Sequence, residues 1–302
     1  MHRPPISVVI PCKDEEHHLA ACVQSVLGWA DEILIADSGS TDKTLAIAHD
    51  FCTAHPRFCR LIQREFISFG SFKGWAVNQC RHDWVFVLDA DERMTPALRR
   101  EIDKVLSKSD CPDAFLVGFD HYYLRYRIRH GAWNHKVVRL FRKSVANYDA
   151  GAIHEKVVVS TGRVGILQGR LEHWTCTCLD KWYQKKNRYS TVGALEKWKR
   201  GKRARLWDLT LRPITAFVKS FIVKMGFLDG MGGFLVAVDD AVTTFQTYLK
   251  LWAIAHPRTA ELTRGSSAAE NDAFAHLPKR SDVTFDTGIG ADSSSRVELA
   301  HS

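Results

Sequence analysis

The sequence lacks the marks of several protein classes. Its eight cysteines form no Cys-x-x-Cys pair and have no histidines at zinc-finger spacing, which argues against a structural zinc module and a disulfide framework. No run approaches the ~18 to 20 apolar residues that a membrane-spanning helix needs. The N-terminal stretch MHRPPISVVIPCKDEE reaches acidic residues after a short apolar run, so we expect no export signal. These absences predict a cytoplasmic globular protein with reduced thiols.

The length and composition allow a substantial core and indicate an anionic partner. The chain has 302 residues, of which 45% are hydrophobic, enough for one large domain or two ordinary ones. Lysine and arginine total 42 against 34 aspartate and glutamate residues, a formal net charge of +8. Such an excess attracts nucleic acid, a membrane surface or a phosphorylated substrate. Charge alone does not choose among these three.

The first third of the chain alternates between strand and helix patterns. Short β-branched runs such as ISVVIP and ILIA are followed by apolar residues at helical spacing, as at Leu19, Cys22, Val23 and Val26. A further helix starts near Pro96, a residue that suits a first helical turn. Because the strand segments are apolar almost throughout, they fit a parallel sheet that is covered on both faces. The pattern predicts an α/β fold.

After Cys111 the pattern changes twice. Strand-like segments continue to residue 178, and we expect them to extend the sheet with antiparallel strands: AFLVGFDHYYL, KVVRLFRK, IHEKVVVS and VGILQGRLEHW. Residues 179–262 are helical, first basic and then apolar with charges at intervals, which fits helices that lie on a membrane without spanning it. The alternative is that these helices pack on the α/β domain, because a core-facing helix has the same apolar period. Residues 263–302 are polar, serine-rich and without period, and we expect a disordered tail there.

Three polar clusters follow predicted strands, at the ends where an open parallel sheet binds ligands. They are PCKDEE, DSGSTD and DADE. In the last cluster, Asp89 and Asp91 are separated by one residue at the end of the apolar run WVFVL. Such carboxylates are hard oxygen ligands for Mg²⁺ or Mn²⁺, ions that complete their coordination with substrate phosphates and water. The DADE cluster therefore predicts a metal site that holds a diphosphate.

The segments SVVIPCKDEE, DSGSTDKT and WVFVLDADE, in this order, resemble the family 2 glycosyltransferases of GT-A fold. The resemblance covers roughly residues 5–175. It implies a Rossmann-like catalytic domain at residues 1–178 that binds a nucleotide sugar on a mixed central sheet. Residues 179–262 would then be an acceptor-facing or membrane-facing helical region.

The same resemblance implies roles for individual residues. Asp89 and Asp91 would bind the metal and the diphosphate of a UDP-sugar donor. Asp37 would bind the uracil or the ribose, and the backbone around Pro11 would bind the base. Lys73, in SFKGWAVNQC, would approach the phosphates, although a solvated helix lysine is an equal alternative.

An inverting transfer needs a base that removes the proton of the acceptor hydroxyl. The family's usual QxxRW segment is missing here, and RLFRKSVANYDAGAIHEKV resembles instead a subgroup with an HE pair after an R-x-F-R strand. This resemblance makes Glu155 the candidate base; the alternative is an outward-facing strand residue. His173, in LEHW, stands where that subgroup places a metal ligand, although it and the weaker candidate His154 also suit structural roles.

The second half narrows the resemblance. DKWYQKKNRYS and GFLDGMGGFLVA followed by FQTYLKL are similar to WaaE/KdtX-type lipopolysaccharide core β-1,4-glucosyltransferases. That similarity implies transfer of glucose from UDP-glucose to an inner-core heptose, at the cytoplasmic face of a Gram-negative inner membrane. Another lipid-linked or capsule-type acceptor is the alternative within the family. From a different class, KWKRGKRARLW fits a basic nucleic-acid-binding module, but that reading gives the aspartates no role, so we expect no nucleic acid partner.

Overall fold

The computed structural model describes residues 3–66, 68–130, 133, 135–148 and 156–256. The strands in this part of the chain are β1 (Ile6–Cys12), β2 (Glu32–Asp37), β3 (Cys59–Gln63), β4 (Trp84–Val87), β5 (Glu92–Met94), β6 (Ala114–Tyr123), β7 (Tyr126–Ile128), β8 (Lys136–Arg142), β9 (Ala146–Tyr148), β10 (Val157–Val159) and β11 (Val164–Cys176). The α-helices are α1 (Leu19–Gln24), α2 (Thr44–Ala54), α3 (Phe69–Asn78), α4 (Pro96–Leu106), α5 (Leu179–Lys199), α6 (Leu206–Val218) and α7 (Gly230–Ala255). A π-helical turn (Lys219–Val223) and a 3₁₀ turn (Gly226–Asp229) join α6 to α7.

A mixed sheet forms the centre of the fold. Its strand order across the described residues is β3-β2-β1-β4-β8-β6-β11-β5, and β7 pairs with β6 outside this path. The strands β3, β2, β1 and β4 are parallel to one another, and β8 runs antiparallel between β4 and β6. The parallel half brings the carboxyl ends of β1, β2 and β4 to one edge, because these three strands are adjacent and point the same way.

Both faces of the parallel half are buried, which explains why its strands are apolar throughout. In β1, Val8 and Ile10 belong to one core cluster, whereas Val9, between them, belongs to another. This alternation follows from the two-residue period of a strand. The first cluster includes residues of α1, α2 and α4, and the second includes residues of α3. The predicted parallel sheet with helices on both faces is confirmed.

The second half of the sheet differs from the sequence prediction. The predicted antiparallel extension holds for β8, but β11 runs parallel to β6. The segment IHEKVVVS contributes β10, which pairs with β9 in a separate two-stranded sheet. This hairpin turns the chain back before β11 begins, so β11 enters beside β6 in the same direction. The sequence pattern predicted the strands but not which strands pair with each other.

Helix α1 is shorter than its apolar spacing indicates. It ends at Gln24, although Val26 is also fully buried. Ser25 Oγ donates to the carbonyl of Cys22 at 2.7 Å, and Gly28 has a left-handed φ of +74°. The chain therefore leaves the helix through turns and still delivers its apolar side chains to the core.

The helical region docks on the sheet through aromatic and small residues. Trp182 of α5 packs edge-on against Tyr123 of β6, with ring centroids 5.8 Å apart. On α7, a Cβ added at Gly232 would come within 2.6 Å of the Tyr126 Cβ on β7. Only glycine allows this approach, which explains part of the GFLDGMGG motif. The chain passes from β11 to α5 between Cys176 and Leu179, next to the predicted boundary at residue 178.

The division into two domains stays a prediction, and the predicted tail at residues 263–302 lies outside the described residues. No single helix of the described part is long and apolar enough to cross a membrane. The segments Leu206–Val223 and Gly226–Ala255 satisfy that test only as a pair, and the pair is bent by 71°.

Candidate active site

The ends of β1 and β2 meet side by side and carry the first two polar clusters. Cys12 pairs with Asp37 at the last register position of the two strands, and Ser38 donates its backbone N–H to the Cys12 carbonyl at 3.1 Å. Pro11, the predicted neighbour of the base, lies one position earlier on β1, opposite Ala36. The structure thus places Pro11 and Asp37 at one edge of the sheet.

Asp37 shapes the loop that follows β2. Asp37 is fully buried, and its carboxylate accepts hydrogen bonds from the backbone N–H of Gly39 at 2.9 Å and of Ser40 at 3.1 Å. The Ser40 hydroxyl donates to the same carboxylate. Asp37 thus holds the DSGS turn, and its contact with uracil or ribose stays a prediction.

The loops after β1 and β2 are tied to each other. Thr41 donates its backbone N–H to Asp14 Oδ1 at 2.7 Å, and Asp14 donates its own to Ser40 Oγ at 2.9 Å. Glu15 donates its backbone N–H to Thr44 Oγ1 at 2.7 Å. These reciprocal bonds make one rigid rim from two loops, which is the preorganisation that a binding site needs.

Asp89, at the end of β4, is held between two buried cations. Its Oδ1 lies 2.8 Å from Lys73 Nζ, and its Oδ2 lies 2.7 Å from an Arg139 nitrogen. Burial acts to raise the Asp89 pKa, but the charges of Arg139 and Lys73 outweigh it and hold the pKa well below its ordinary value. Lys73 is only 6% exposed, so the alternative of a solvated helix lysine is wrong.

Glu92 of β5 also belongs to this network. Its Oε2 accepts the backbone N–H of Asp89 at 3.1 Å, and its Oε1 accepts from Arg139. Burial raises the Glu92 pKa to about 7, against the opposing charge of Arg139. The two carboxylates share one cation, because the Arg139 guanidinium contacts both Asp89 and Glu92, whereas Lys73 pairs with Asp89.

Asp91 faces a different partner, 82 residues away in sequence. Its Oδ2 lies 3.2 Å from His173 Nε2, and both side chains are about one-fifth exposed. Burial acts to raise the Asp91 pKa, but the charge and hydrogen bond of His173 lower it overall. Burial acts to lower the His173 pKa, and Asp91 raises it overall. The two side chains form a charge pair that solvent reaches.

The pairing of β5 with β11 produces this contact. Glu92 lies opposite His173 in the antiparallel register, and Trp174 donates its backbone N–H to the Asp91 carbonyl at 2.9 Å. The His173 ring packs against Phe119 at 5.7 Å and against His121 at 5.0 Å, measured between centroids. The imidazole is therefore oriented from two sides.

The predicted site residues separate into two groups in the structure. Asp91 and His173 form one, whereas Asp89 and Lys73 belong to the buried network with Arg139. No group of three histidine, cysteine, aspartate or glutamate residues in the described ranges is arranged to hold a metal. Lys73 and Arg139 contact the two oxygens of Asp89, which sets Asp89 apart from the Asp91–His173 pair, and the metal role of Asp89, Asp91 and His173 stays a prediction. Glu155 and His154 lie outside the described residues.

Sequence reasoning missed Arg139 and the charged face of α5. Arg139 is the first arginine of the R-x-F-R strand. The available signal was a single charged residue inside the apolar run VVRLF. On α5, the charges of Lys185 and Lys181 oppose the burial that raises the Glu15 pKa to about 7, and Lys185 also lowers the Asp91 pKa. These two lysines are one helical turn apart, so they share a face near the site.

A cavity of about 630 Å³ lies beside the site, lined by side chains that include His17, His18, Arg93, Glu172 and Trp174. Glu172 and Trp174 flank His173 on β11, so they point to the opposite face of that strand. The cavity contains none of the predicted site residues. It is a separate feature from the Asp91–His173 pair.

Comparisons with known proteins place these features in a family. A family model described as glycosyl transferase family 2 matches residues 7–166. The lipopolysaccharide core biosynthesis glycosyltransferase LpsC of Rhizobium meliloti (strain 1021) is 32% identical over 256 residues, which cover 82% of this chain and 92% of that protein. An uncharacterized glycosyltransferase of Rickettsia prowazekii (strain Madrid E) is 29% identical over 258 residues, covering 82% of this chain and 85% of that one.

Solved structures are similar at a lower level. The mannosyltransferase PcManGT from Pyrobaculum calidifontis, in complex with GDP-Man and Mn²⁺, has 16% sequence identity and a TM-score of 0.46, covering 91% of this chain and 81% of that one. Residues 1–349 of TarS from S. aureus, in complex with UDP-GlcNAc, have 12% identity and a TM-score of 0.43, with 89% of each chain covered.

Proposed function

This chain belongs to glycosyltransferase family 2, and on that premise we propose that it transfers a hexose from a UDP-sugar to the inner core of lipopolysaccharide. Its mixed central sheet is the GT-A fold of that family. We further propose UDP-glucose as the donor and a heptose as the acceptor, with inversion at the anomeric carbon. The observation that carries the enzymatic proposal is the Asp91–His173 pair at the edge of the sheet, beside the ends of β1 and β4.

The donor would bind along this edge. The rim formed by the loops after β1 and β2, with Pro11 and Asp37 at its base, would receive the uridine. Lys73 and Arg139 place positive charge against Asp89 of the DADE turn, and Lys185 adds charge from α5. A diphosphate carries negative charge, so it is attracted to these cations and repelled by bare carboxylates.

The chemistry of the Asp91–His173 pair fits a divalent cation. One carboxylate oxygen and one imidazole nitrogen, 3.2 Å apart, are close enough to share an ion, and both side chains remain partly exposed. Mg²⁺ keeps most of its ligands from water and substrate phosphates, so two protein ligands suffice. When bound, Mg²⁺ or Mn²⁺ would neutralise the charge that develops on the leaving UDP. Phe119 and His121 would hold His173 in the ligating orientation.

Inversion requires a base on the acceptor side of the sugar. We assign this role to Glu155, the carboxylate of the HE pair. It would take the proton of the acceptor hydroxyl while that oxygen forms a bond to the anomeric carbon. The bond from this carbon to the diphosphate breaks at the same time, and UDP leaves with the electron pair.

The acceptor is proposed from two similarities. The second half of the chain resembles lipopolysaccharide core glucosyltransferases, and the relative LpsC is named for lipopolysaccharide core biosynthesis. Such an acceptor is anchored in lipid and rich in phosphate and carboxylate groups, which suits a protein of net charge +8. We therefore propose a location at the cytoplasmic face of the inner membrane. Another lipid-linked or capsule-type saccharide is the second candidate, and nucleic acid is not expected as a partner.

A donor and acceptor panel tests the proposal. Purified protein would be incubated with Mn²⁺ and UDP-glucose, UDP-galactose, UDP-GlcNAc or GDP-mannose, together with a heptose-terminated core oligosaccharide or a polyprenyl phosphate. We expect a single hexose on the heptose from UDP-glucose, with β configuration by NMR, and no product after treatment with EDTA.

Each alternative outcome has a defined meaning. Transfer from another UDP-sugar would correct the donor, and transfer only to polyprenyl phosphate would replace the acceptor. An α-linked product would overturn inversion, and full activity in EDTA would remove the metal. Retention of duplex DNA on a filter at moderate salt would favour the nucleic-acid-binding alternative.

A further inference from the structure

The helical region exposes an apolar face. Sixteen of the twenty-four large hydrophobic side chains that are exposed in the described part of the chain lie between residues 206 and 249. The six most exposed of these are more than half accessible to solvent and define the apolar face: Leu206, Trp207, Leu211, Ile214, Val223 and Met231. Soluble monomers rarely display contiguous apolar patches larger than a few hundred Å².

The exposed positions follow the geometry of two packed helices. Trp207, Leu211 and Ile214 are spaced four and three residues apart, so they share one side of α6. Helix α7 lies beside α6, because Phe217 and Phe234 meet edge to face with centroids 6.0 Å apart. The apolar face is therefore a surface made by two neighbouring helices and their connection.

Basic residues are concentrated in the stretch of chain that carries and precedes this face. Between Lys197 and Lys224 the chain has nine lysines and arginines and one acidic residue, Asp208. The Asp208 carboxylate is paired with Arg212, so no acidic side chain in this segment is free of a cation. The excess of eight positive charges in this segment equals the formal net charge of the whole chain. An exposed apolar face on a strongly cationic segment is typical of interfacial membrane helices.

We propose that the apolar face docks in the headgroup region of an anionic phospholipid bilayer, with α6 and α7 lying along the membrane surface. Exposed apolar side chains would enter the acyl boundary, and the lysines and arginines of this segment would meet lipid phosphates. This inference stands on the exposed side chains and their charges, and it does not rest on the proposed sugar transfer.

The inner side of α7 favours surface docking over spanning. Asp239 of α7 accepts from Trp182 Nε1 at 3.0 Å and lies 3.0 Å from Lys186 Nζ, so α7 is bound to α5 by a buried charge pair. Insertion of α7 across a bilayer would break this pair and leave Asp239 in hydrocarbon, which is unfavourable. The 71° bend between the two segments also opposes a single straight crossing.

The charge also favours lipid over a second copy of this chain. A symmetric dimer through the apolar face would bring two strongly cationic segments together. Like charges opposed across an interface destabilise it, whereas anionic lipid complements them. An anionic bilayer therefore complements both the apolar side chains of the face and the positive charge of the segment that carries it.

Co-sedimentation with vesicles tests the docking surface. Full-length protein would be mixed with vesicles of phosphatidylcholine alone, or of phosphatidylcholine and phosphatidylglycerol at a ratio of about 3:1, at low and high salt. We expect binding to the anionic vesicles that weakens as salt rises, because exposed charges are screened within about 8 to 10 Å near physiological ionic strength. Neutral vesicles should bind less.

Two pairs of variants separate the apolar and cationic contributions. Trp207→Glu with Leu211→Glu, and Lys219→Glu with Lys224→Glu, should each weaken anionic vesicle binding by roughly tenfold or more. The matched controls are Ile166→Glu, an exposed apolar residue on β11, and Lys104→Glu with Lys108→Glu on and after α4. Both controls should bind as wild type does. Thermal melting verifies that every variant is folded.

Several results would overturn the proposal. Binding of both double variants equal to wild type at low salt would remove the apolar face from membrane contact. Resistance to alkaline carbonate extraction would indicate a spanning helix pair. A concentration-dependent dimer in light scattering, dissociated by Trp207→Glu with Leu211→Glu, would identify a second copy as the occupant. Vesicle binding without any sugar transfer would retain the docking surface and refute only the proposed function.

Discussion

The two halves of the molecule place their side chains in opposite ways. The α/β half encloses charge: Glu32, Glu92 and Arg139 are each less than 10% exposed. The helical half exposes apolar surface, as at Leu206 and Val223. Each arrangement is unfavourable in isolation, because buried charges lose hydration and exposed apolar groups order water. The two proposals follow this division, since the donor site is proposed at the charged end of the sheet and the bilayer contact at the apolar helices.

The two halves are also stabilised by different contacts. The buried charges of the α/β half are paired with charges of opposite sign, so the folded sheet needs no ligand to neutralise them. The helical half is held to the sheet by Trp182, Tyr123 and the close approach at Gly232. The residues of the apolar face thus take no part in these contacts between the helices and the sheet.

The largest effect is expected at the proposed base. Glu155→Gln should lower turnover by ~10²- to 10⁴-fold, the range for a positioned general base, with donor affinity nearly unchanged. Steady-state kinetics and calorimetric binding of UDP measure the two quantities separately. Loss of donor affinity with turnover preserved would assign Glu155 to binding instead.

Asp91→Asn tests the exposed charge pair of the α/β half. We expect turnover to fall by ~10²- to 10³-fold, since the variant removes electrostatic stabilisation of the leaving group. Metal-dependent UDP binding should fall as well, while the melting temperature changes little because the pair is partly exposed. Asp50→Asn, on the exposed surface of α2, is the control. Wild-type turnover in Asp91→Asn would exclude the metal role.

Arg139→Met tests whether the buried network is structural. Removing one partner of a buried ion pair typically costs about 3 to 5 kcal/mol of unfolding free energy, because Glu92 is left as an uncompensated charge. Arg142→Met, three residues along the same strand but 38% exposed, should cost about 1 kcal/mol or less. Urea denaturation measures both. Adding Glu92→Leu to Arg139→Met should restore part of the lost stability. A double variant no more stable than Arg139→Met alone would contradict the pairing of Arg139 with Glu92.

Gly232→Ala tests how the helical half is attached. The added Cβ would stand 2.6 Å from Tyr126 Cβ, and we expect a loss of about 1 to 3 kcal/mol from overpacking. Gly193→Ala on α5 meets Thr247 only at 3.5 Å, so it should be neutral or stabilising by up to about 1 kcal/mol. Equal stability of the two variants by thermal denaturation would show that α7 does not approach β7 this closely.

The last prediction concerns pH and the buried carboxylate of β2. Burial acts to raise the Glu32 pKa, but hydrogen bonds from Ser7, Arg81 and Arg60 lower it below its ordinary value of 4.5. A depressed pKa stabilises the folded state above the unfolded pKa, and this contribution is lost as the pH falls through the folded value.

Glu32→Gln should therefore reduce the free energy of unfolding by about 1 to 3 kcal/mol near pH 7, and the difference from wild type should shrink below pH 4.5. Glu65→Gln, at an exposed position, should show no such pH dependence. Denaturant titrations at several pH values measure the difference, and a gap that widens in acid would contradict the sign.

The order of strands and helices was readable from local sequence, and so was the grouping of polar residues at the carboxyl ends of β1, β2 and β4. Apolar runs such as Trp84–Val87 predict buried strands because both sheet faces are covered, and DADE at such an end predicts a ligand site. Asp37 and Asp91 were found by this reasoning because polar residues interrupt an otherwise apolar pattern. The roles of Glu155 and His154 stay predictions, since these residues lie outside the described structure.

Tertiary structure alone decided which charges meet and which surfaces stay open. Lys73 and Arg139 are 66 residues apart, and only the adjacency of α3, β4 and β8 brings them to the two oxygens of Asp89. The apolar period of α6 fits a core helix and a membrane-facing helix equally well, because periodicity records the side of a helix and not what covers it. The packing shows which side remains exposed. Local patterns determine elements, whereas partners depend on contacts between distant segments.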